Sequence, residues 1–418
     1  MMDLCGKRLL IMGGVANARD IVKSAQELGV YVMVTDYLED SPAKKIADES
    51  FMASTTDVDA VIKLCRDQKV DGVFTGYIDS MLPYCCEVCE RLGIPFYATK
   101  KQIEYTTNKR HFKDACLLCG VPVARDYQLD SPNIPYPIVV KPADNSGSRG
   151  FAVCHSREEL EAAYQKALTF SKSKEVIIEE FLEGREITLY YTVQNGKVTF
   201  STISERFHQP GFTQLPAATL FFPEYVSLYD DKMHESVCRF AEMLGMQNGS
   251  FILQAYYTDE GFKCMEIINR LSGIRQYVIV SHENQIDIVK MHIRHALTGE
   301  FAGWDASICE NPNFTRPYAY LSFLLNGPGK IGKVSGIQEI RMHPNVIDIS
   351  PVYSEGDVIP DVIMGTLQQI FARCYIVADD KKALAEAIDD VKSLICVNDS
   401  DGNNMLHPPF DTREFYSV

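Results

Sequence analysis

Residues 137–150 read PIVVKPADNSGSRG, and the fold turns on what this stretch is for. The apolar run 138–141 is a short strand that delivers Lys141. A loop of small residues follows from Asp144 to Gly150, and 151–155 reads as a second strand. Small residues leave backbone N–H groups free to wrap phosphate oxygens, and the lysine adds a point charge. Taken alone, the stretch also reads as a hairpin turn between two strands. It lacks the G-x-x-x-x-G-K-[ST] order, so it is not that phosphate-binding loop.

Two more clusters lie downstream. Glu179-Glu180-Phe181-Leu182-Glu183-Gly184-Arg185-Glu186 places carboxylates beside backbone groups. A carboxylate can accept from an exocyclic amine, chain atoms next to Phe181 and Leu182 can complete a planar edge, and Glu186 suits a diol. By itself the cluster reads better as an acidic, solvated strand end. Further on, Gln254 and Glu266 lie on two strands joined by a turn at 259–261, and hairpin pairing brings their oxygens together as ligands for a hard cation. Arg270 follows, suited to a phosphate. Upstream, Lys109 adds a further cation.

The first hundred residues alternate strand and helix: strands at 8–12, 30–35, 72–75 and 94–97, helices at 20–28, 58–68 and 81–92. That rhythm indicates a parallel sheet with crossover helices. The Gly13-Gly14 turn fails the G-x-G-x-x-G pattern, because Val15 takes the second glycine position. The late segment Gly327 to Gly332 satisfies that pattern, but a β-like stretch at 333–340 follows, so no helix N-terminus is available for a phosphate. Helical patterns at 101–119, 157–170, 232–245 and 380–394 frame the rest, with an irregular stretch at 206–223.

The 418 residues carry 41 Lys+Arg against 56 Asp+Glu, a formal charge of −15, which argues against nucleic acid as the main partner. With 46 % apolar residues the chain is not a disordered one. Its apolar start is too short for a signal peptide and no run is long enough to span a membrane, so no membrane partner is expected. Thirteen cysteines, an odd number, read as reduced thiols in a cytoplasm. The pairs Cys86/Cys89 and Cys116/Cys119 sit in helical patterns, where core packing competes with a zinc site.

Taken together, the stretch Lys141…Gly150, the segment 179–186 and the strands carrying Gln254 and Glu266 to Arg270 resemble the ATP-grasp superfamily in order and spacing, in its carboxylate–amine ligase branch. The amino-terminal region resembles the α/β domain that precedes such modules in carbamoyl-phosphate synthetases and purine-pathway ligases, and the tail is weakly similar to L-amino-acid ligases. The resemblance implies an α/β and α+β architecture: an α/β domain over 1–100, an ATP-grasp domain over 101–300 and an α+β lid over 301–418. It implies ATP and Mg²⁺ as cofactors. Lys109 and Lys141 would hold phosphates, with Ser146, Gly147, Ser148 and Gly150 in a mobile flap. Glu179, Phe181 and Leu182 would hold adenine, and Glu186 ribose. Gln254, Glu266 and Asn269 would be the magnesium ligands, and Arg270 and Lys141 the catalytic cations.

One position departs from the family pattern E-x-N-x-R: the chain reads Glu266-Ile267-Ile268-Asn269-Arg270. Strand alternation puts Ile268 on the face of Glu266 and Arg270. Either a bulge near 268 re-aims Asn269, or one ligand is missing. The implied reaction joins a small-molecule carboxylate to an amine through an acyl phosphate, forming ADP. A carbamoyl-phosphate synthetase-like activity and a non-catalytic ATP-binding protein are the alternatives, and monomer and homodimer both remain open. Arg206, His208, Arg270, Ser272 and Arg275 flank the expected substrate pocket, with 206–223 as a wall.

Overall fold

The computed structural model describes residues 3–144, 149–208, 215–408 and 410–416. Strands β1 (Arg8–Met12), β2 (Tyr31–Thr35), β3 (Glu49–Phe51) and β4 (Gly72–Phe74) form a parallel sheet in the order β3-β2-β1-β4. Leu9, Leu10, Ile11, Val32, Met33 and Val34 are fully buried, as strands covered on both faces by crossover helices require. Those helices include α1 (Ala18–Glu27), α2 (Val58–Asp67) and α3 (Leu82–Leu92), the last ended by Gly93 in the left-handed region at φ 69°. The strand expected at 94–97 does not form. Tyr97 there packs edge-on against Phe74 and His292, and its hydroxyl donates to the Asn269 carbonyl at 3.1 Å. Aromatic packing takes the place of strand pairing.

The helical stretch beyond residue 100 is two helices, α4 (Lys100–Thr107) and α5 (Lys109–Cys119). Asn108 separates them and caps α5, its side-chain oxygen accepting from the N–H groups of Arg110 and His111. The two cysteine pairs serve separate cores. Cys86 and Cys89 on α3 pack around the amino-terminal sheet, whereas Cys116 and Cys119 lie beneath the large sheet described below. Among the described residues no three His, Cys, Asp or Glu side chains gather as a metal site.

A small antiparallel sheet, β6-β5-β7, is made by β5 (Ile138–Pro142), β6 (Ala152–Cys154) and β7 (Val176–Glu180), with α6 (Arg157–Phe170) packed on it. The large sheet has eight strands, taken from β8 (Arg185–Gln194), β9 (Lys197–His208), β10 (Pro216–Phe221), β11 (Gly249–Thr258), β12 (Gly261–Ile268), β13 (Tyr318–Leu324), β15 (Val346–Pro351) and β17 (Ile370–Val377). Its order is β12-β11-β8-β9-β10-β13-β17-β15, antiparallel throughout. Much of the stretch expected to be irregular at 206–223 is therefore strand. Pro216 takes the first position of β10, where its missing N–H is least disruptive, and Ala217, Ala218, Leu220 and Phe221 are buried.

Three strands from beyond residue 300 extend the sheet begun by β8 to β12, so the expected boundary between nucleotide-binding domain and lid runs through a single sheet. Strands β14 (Gly329–Ser335), β16 (Val358–Ile359) and β18 (Cys396–Asp399) make a third sheet. The β-like reading of 333–340 holds only to Ser335, because Gly336 turns at φ 87° into the short helix α11 (Ile337–Arg341). One face of the large sheet, with Ile187, Leu189, Tyr191 and Leu253, packs on α5, α7 (Asp231–Met243) and α12 (Lys381–Leu394). The other, with Tyr190, Ile252, Phe221, Tyr320 and Tyr375, meets the amino-terminal domain together with α8 (Tyr277–Asn284) and α9 (Ile288–Thr298). No helix among the described residues is long and apolar enough to cross a membrane.

Just past the short helix α10 (Ala306–Cys309), Glu310 is 7 % exposed and accepts from the Thr192 hydroxyl at 2.9 Å. Burial pushes its carboxyl up to about 7. The unfolded chain therefore holds fewer protons here, and stability falls as pH rises from about 4.5 to about 7. Glu310→Gln mimics the protonated form. It is expected to be more stable than the parent at pH 8 by about 3 kcal/mol, with the difference vanishing near pH 4.5. Denaturant titrations at the two pH values measure this.

Candidate functional site

Helix α5 sets two lysines one turn apart. Its start is tied to the loop after β5 by the Lys109 N–H, which donates to the Ala143 carbonyl at 2.8 Å. Lys113, only 5 % exposed, donates to Glu179 at 2.8 Å and also binds Asp126. Lys141 binds the other oxygen of Glu179. The register of β5 on β7 accounts for this, since Val139 opposes Glu179 and Lys141 opposes Ile177, leaving Lys141 and Glu179 as diagonal neighbours on one face. Burial pushes the Glu179 carboxyl up, but Lys141 and Lys113 outweigh it and hold the group below its ordinary value. Lys113 was missed from sequence, although its spacing of four from Lys109 put both on one helix face.

Gln254 and Glu266 lie directly opposite each other on β11 and β12, as the hairpin expectation required. Lys109 reaches Glu266 at 3.5 Å. A bulge does interrupt β12, but at Met265 rather than near 268, because Ala255 opposes Cys264 while Gln254 opposes Glu266. Alternation is regular from Glu266 onward: Ile267 faces the core under the sheet, Ile268 shares the face of Glu266, and the strand ends there. Asn269 lies just beyond the strand and is 6 % exposed. Next along, the Arg270 guanidinium donates to both oxygens of Asp79 at 2.7 and 2.6 Å. Burial lowers its pKa, yet the Asp79 charge prevails and holds it above its ordinary value. Asp79 belongs to the amino-terminal domain, and the pattern around Arg270 gave no hint of this long-range partner.

Glu186 is on β8 opposite Tyr256, on the same sheet face as Gln254. It accepts from His208 Nε2 at 2.6 Å and pairs with Arg206 at 2.7 Å, so an imidazole and a guanidinium occupy the carboxylate expected to meet a ribose. Burial raises its pKa, and His208 and Arg206 bring it below the ordinary value. Phe181 is exposed and Leu182 half-buried at the start of this turn. Gly184 closes it at φ 152°, where a Cβ would meet the Tyr257 carbonyl oxygen at 2.3 Å, so the chain must approach β11 without a side chain. Ser146, Gly147 and Ser148 lie outside the described residues, and Gly150 is described at φ 82°. The structure thus joins Lys141 to Glu179, Lys109 to Glu266 (which lies opposite Gln254), and Glu186 to Arg206 and His208, with Arg270 held separately by Asp79.

Comparison with known proteins bears on this arrangement. The family described as D-ala D-ala ligase C-terminus matches residues 128–220. The formate-dependent phosphoribosylglycinamide formyltransferase of Parasynechococcus marenigrum (strain WH8102) is 27 % identical over 207 residues, covering 46 % of this chain and 53 % of that protein. The chain spans about half the length of the curated relatives it matches. Among solved structures, the L-amino acid ligase from Bacillus licheniformis superposes with a TM-score of 0.74 at 17 % identity, covering 94 % of this chain and 99 % of the other. Phosphoribosylglycinamide synthetase from Anaerococcus prevotii gives 0.75 at 17 %, covering 94 % and 100 %. The chain has the ATP-grasp fold. Within it, the small sheet with Lys141 and Glu179 and the strands with Gln254 and Glu266 are the elements the resemblance had singled out.

Replacing Glu179 with Gln leaves Lys141 and the buried Lys113 facing a neutral amide. We expect Glu179→Gln to lose about 2–4 kcal/mol in denaturant titrations at pH 7. Because the folded-state pKa is depressed, the parent keeps this increment above the unfolded value of 4.5 and loses it as pH falls through the folded value. The gap between parent and variant should therefore close in acid.

Proposed function

We propose that the chain is an ATP-dependent ligase that joins a small-molecule carboxylate to an amine, forming ADP through an acyl phosphate. The observation that carries this reading is Lys109 meeting Glu266 at 3.5 Å, opposite Gln254, on an ATP-grasp sheet whose strand β12 ends just before Arg270. The donor set fits the implied cofactors. Glu266 and Gln254 offer hard oxygen ligands from adjacent strands, and Mg²⁺ commonly takes only one or two protein carboxylates, leaving the rest to phosphate and water. Lys109 and Lys141 supply the positive charge that nucleotide phosphates need. ATP would supply the γ-phosphoryl group that activates the carboxylate.

The work left to the protein is positioning and charge neutralisation, which suits a site of Lys, Arg and carboxylate groups. Lys141, held by Glu179, would orient phosphate oxygens. Arg270, its plane fixed by the bidentate contact to Asp79, would stabilise negative charge growing on the transferred group. Glu179 would take an adenine amine through the oxygen lone pairs its lysines leave available. Glu186 would meet a ribose only by exchanging Arg206 or His208. Thirteen free thiols suit a reducing, cytoplasmic setting.

Ile268 on the face of Glu266 favours a second reading, a nucleotide-binding protein without turnover. Release of ADP and phosphate from ATP and Mg²⁺, screened over carboxylate–amine pairs, separates the two. The ligase reading expects turnover that needs both substrates, is lost in Glu266→Ala, and falls about 10²- to 10³-fold in kcat in Arg270→Met. ATP binding with no ADP formed from any pair supports the second reading.

A further inference from the structure

Glu179 holds a different lysine on each of its two oxygens. Lys113 Nζ donates to Oε2 at 2.8 Å, and Lys141 binds Oε1. The two lysines are placed differently. Lys113 sits in the middle of α5, whose neighbouring Phe112, Ala115 and Cys116 are fixed in the core beneath the large sheet. Its ammonium is also bound by Asp126, which takes Arg110 on its other oxygen at 2.6 Å. Asp126 is paired with Glu179 through an antiparallel backbone bridge, so this group stands on one frame. Lys141 lies near the end of β5, beside the loop that begins at Asp144, and is more open to solvent than Lys113.

The charges around Glu179 show which lysine can leave. Arg110, Lys113 and Lys141 face Asp126 and Glu179, three cations to two carboxylates. Lys109, one turn before Lys113, is turned to Glu266 instead. On the far side of the small sheet, α6 packs with the apolar Leu160, Ala163 and Ala167 against Ile178. Glu180, next on β7, alternates to that far side and accepts from the Arg125 N–H at 2.8 Å. Taking Lys141 away therefore leaves a balanced set of two cations and two carboxylates. Taking Lys113 away as well leaves Arg110 alone to serve both acids, and Arg110 is tied to Asp126.

We propose that Lys113 is a positioning residue, the counter-ion that stays with Glu179 when a nucleotide phosphate draws Lys141 away. This rests on the nucleotide-binding reading of Lys141 and Glu179. Oε1 is then free to accept from a ligand amine, while Oε2 remains anchored to α5. Without Lys113, nucleotide binding would leave the buried Glu179 with no cation beside it. A carboxyl in that condition takes up a proton from the buffer and becomes neutral. The variant would therefore bind a proton together with each nucleotide, and the parent would not.

The test counts those protons. Titration calorimetry of the full chain with ADP and Mg²⁺ at pH 7, in PIPES and in imidazole, converts proton uptake into a difference in heat between the two buffers. The parent should take up almost none. Lys113→Gln, neutral but still able to hydrogen-bond, should take up about half to one proton more per ADP. Relative to the parent, its ADP affinity should fall by up to about tenfold per pH unit between pH 6 and 8. Lys113→Arg should behave as the parent. So should Asp126→Asn, which breaks the same network but leaves Lys113 beside Glu179. Adding Glu179→Gln to Lys113→Gln should abolish the extra uptake, which assigns the proton to Glu179.

Lys113→Met serves where Lys113→Gln does not fold, and the parent's own proton count stands in either case. Three results overturn the proposal: about one proton taken up per ADP by the parent, no extra uptake in Lys113→Gln, or as much uptake in Asp126→Asn as in Lys113→Gln. The last would make the network a structural one in which Lys113 has no separate part. All three leave the nucleotide-binding reading intact. A parent that binds no ADP overturns that reading and the proposal together.

Discussion

Taking a cation out of water is costly unless a counter-charge or other acceptors offset it, and pairing of that kind organises the site. Lys141 and Lys113 meet Glu179, Lys109 meets Glu266, Arg206 meets Glu186, Arg270 meets Asp79 and Arg275 meets Asp20. Glu179 and Glu266, the carboxylates proposed for adenine and metal, are thus counter-ions to Lys141 and Lys109, the lysines proposed for phosphate. On the proposed reading, nucleotide binding would be an exchange of partners, in which phosphates replace carboxylates at the lysines and free the carboxylates for cations and donors. The net charge of −15 reflects the surrounding surface and says little about this interior.

The large sheet provides the ruler for these exchanges. Side chains two apart on a strand share a face, so Glu186 and Thr188, Gln254 and Tyr256, Arg206 and His208, and Arg373 and Tyr375 stand in rows. Thr188 opposes Gln254 and Ser204, Thr219 opposes Arg206 and Tyr320, and Tyr320 opposes Tyr375. One face thus runs from the strands carrying Gln254 and Glu186 to the one carrying Arg373 without a break. Polar groups on it are buried because the amino-terminal domain and α8 and α9 cover it, and that cover brings Asp20 and Asp79 to arginines about 190 to 255 residues away.

What could be read beforehand follows the range of the interactions. The amino-terminal strands and the helix 157–170 were legible because burial and capping are written locally, as in Ser156 accepting from the Glu159 N–H. The pairing of Gln254 with Glu266 was legible because a short turn fixes a hairpin register. Strand β10 was not. One of its two partners, β13, comes from a distant segment, and its proline and alanines carry weak local preference. Asp79 and Lys113 escaped notice for the same kind of reason: their importance lies in what tertiary packing puts beside them.

The bulge at Met265 shows how one residue can decide chemistry. Continuing the regular pairing of Ala255 with Cys264 would set Met265 opposite Gln254 and turn Glu266 under the sheet, into the apolar layer that holds Cys264. The extra residue lets Cys264 and Ile267 both face that layer and returns Glu266 to the side of Gln254 and Lys109. It has no effect on Ile268, which is why the E-x-N spacing is not restored by strand geometry. Asn269 could join a metal site only through the bend that follows the strand, where the Tyr97 hydroxyl already pins its carbonyl at 3.1 Å. The carboxylate of the proposed site is thus set by a local irregularity in the strand, and the asparagine by contact with another domain.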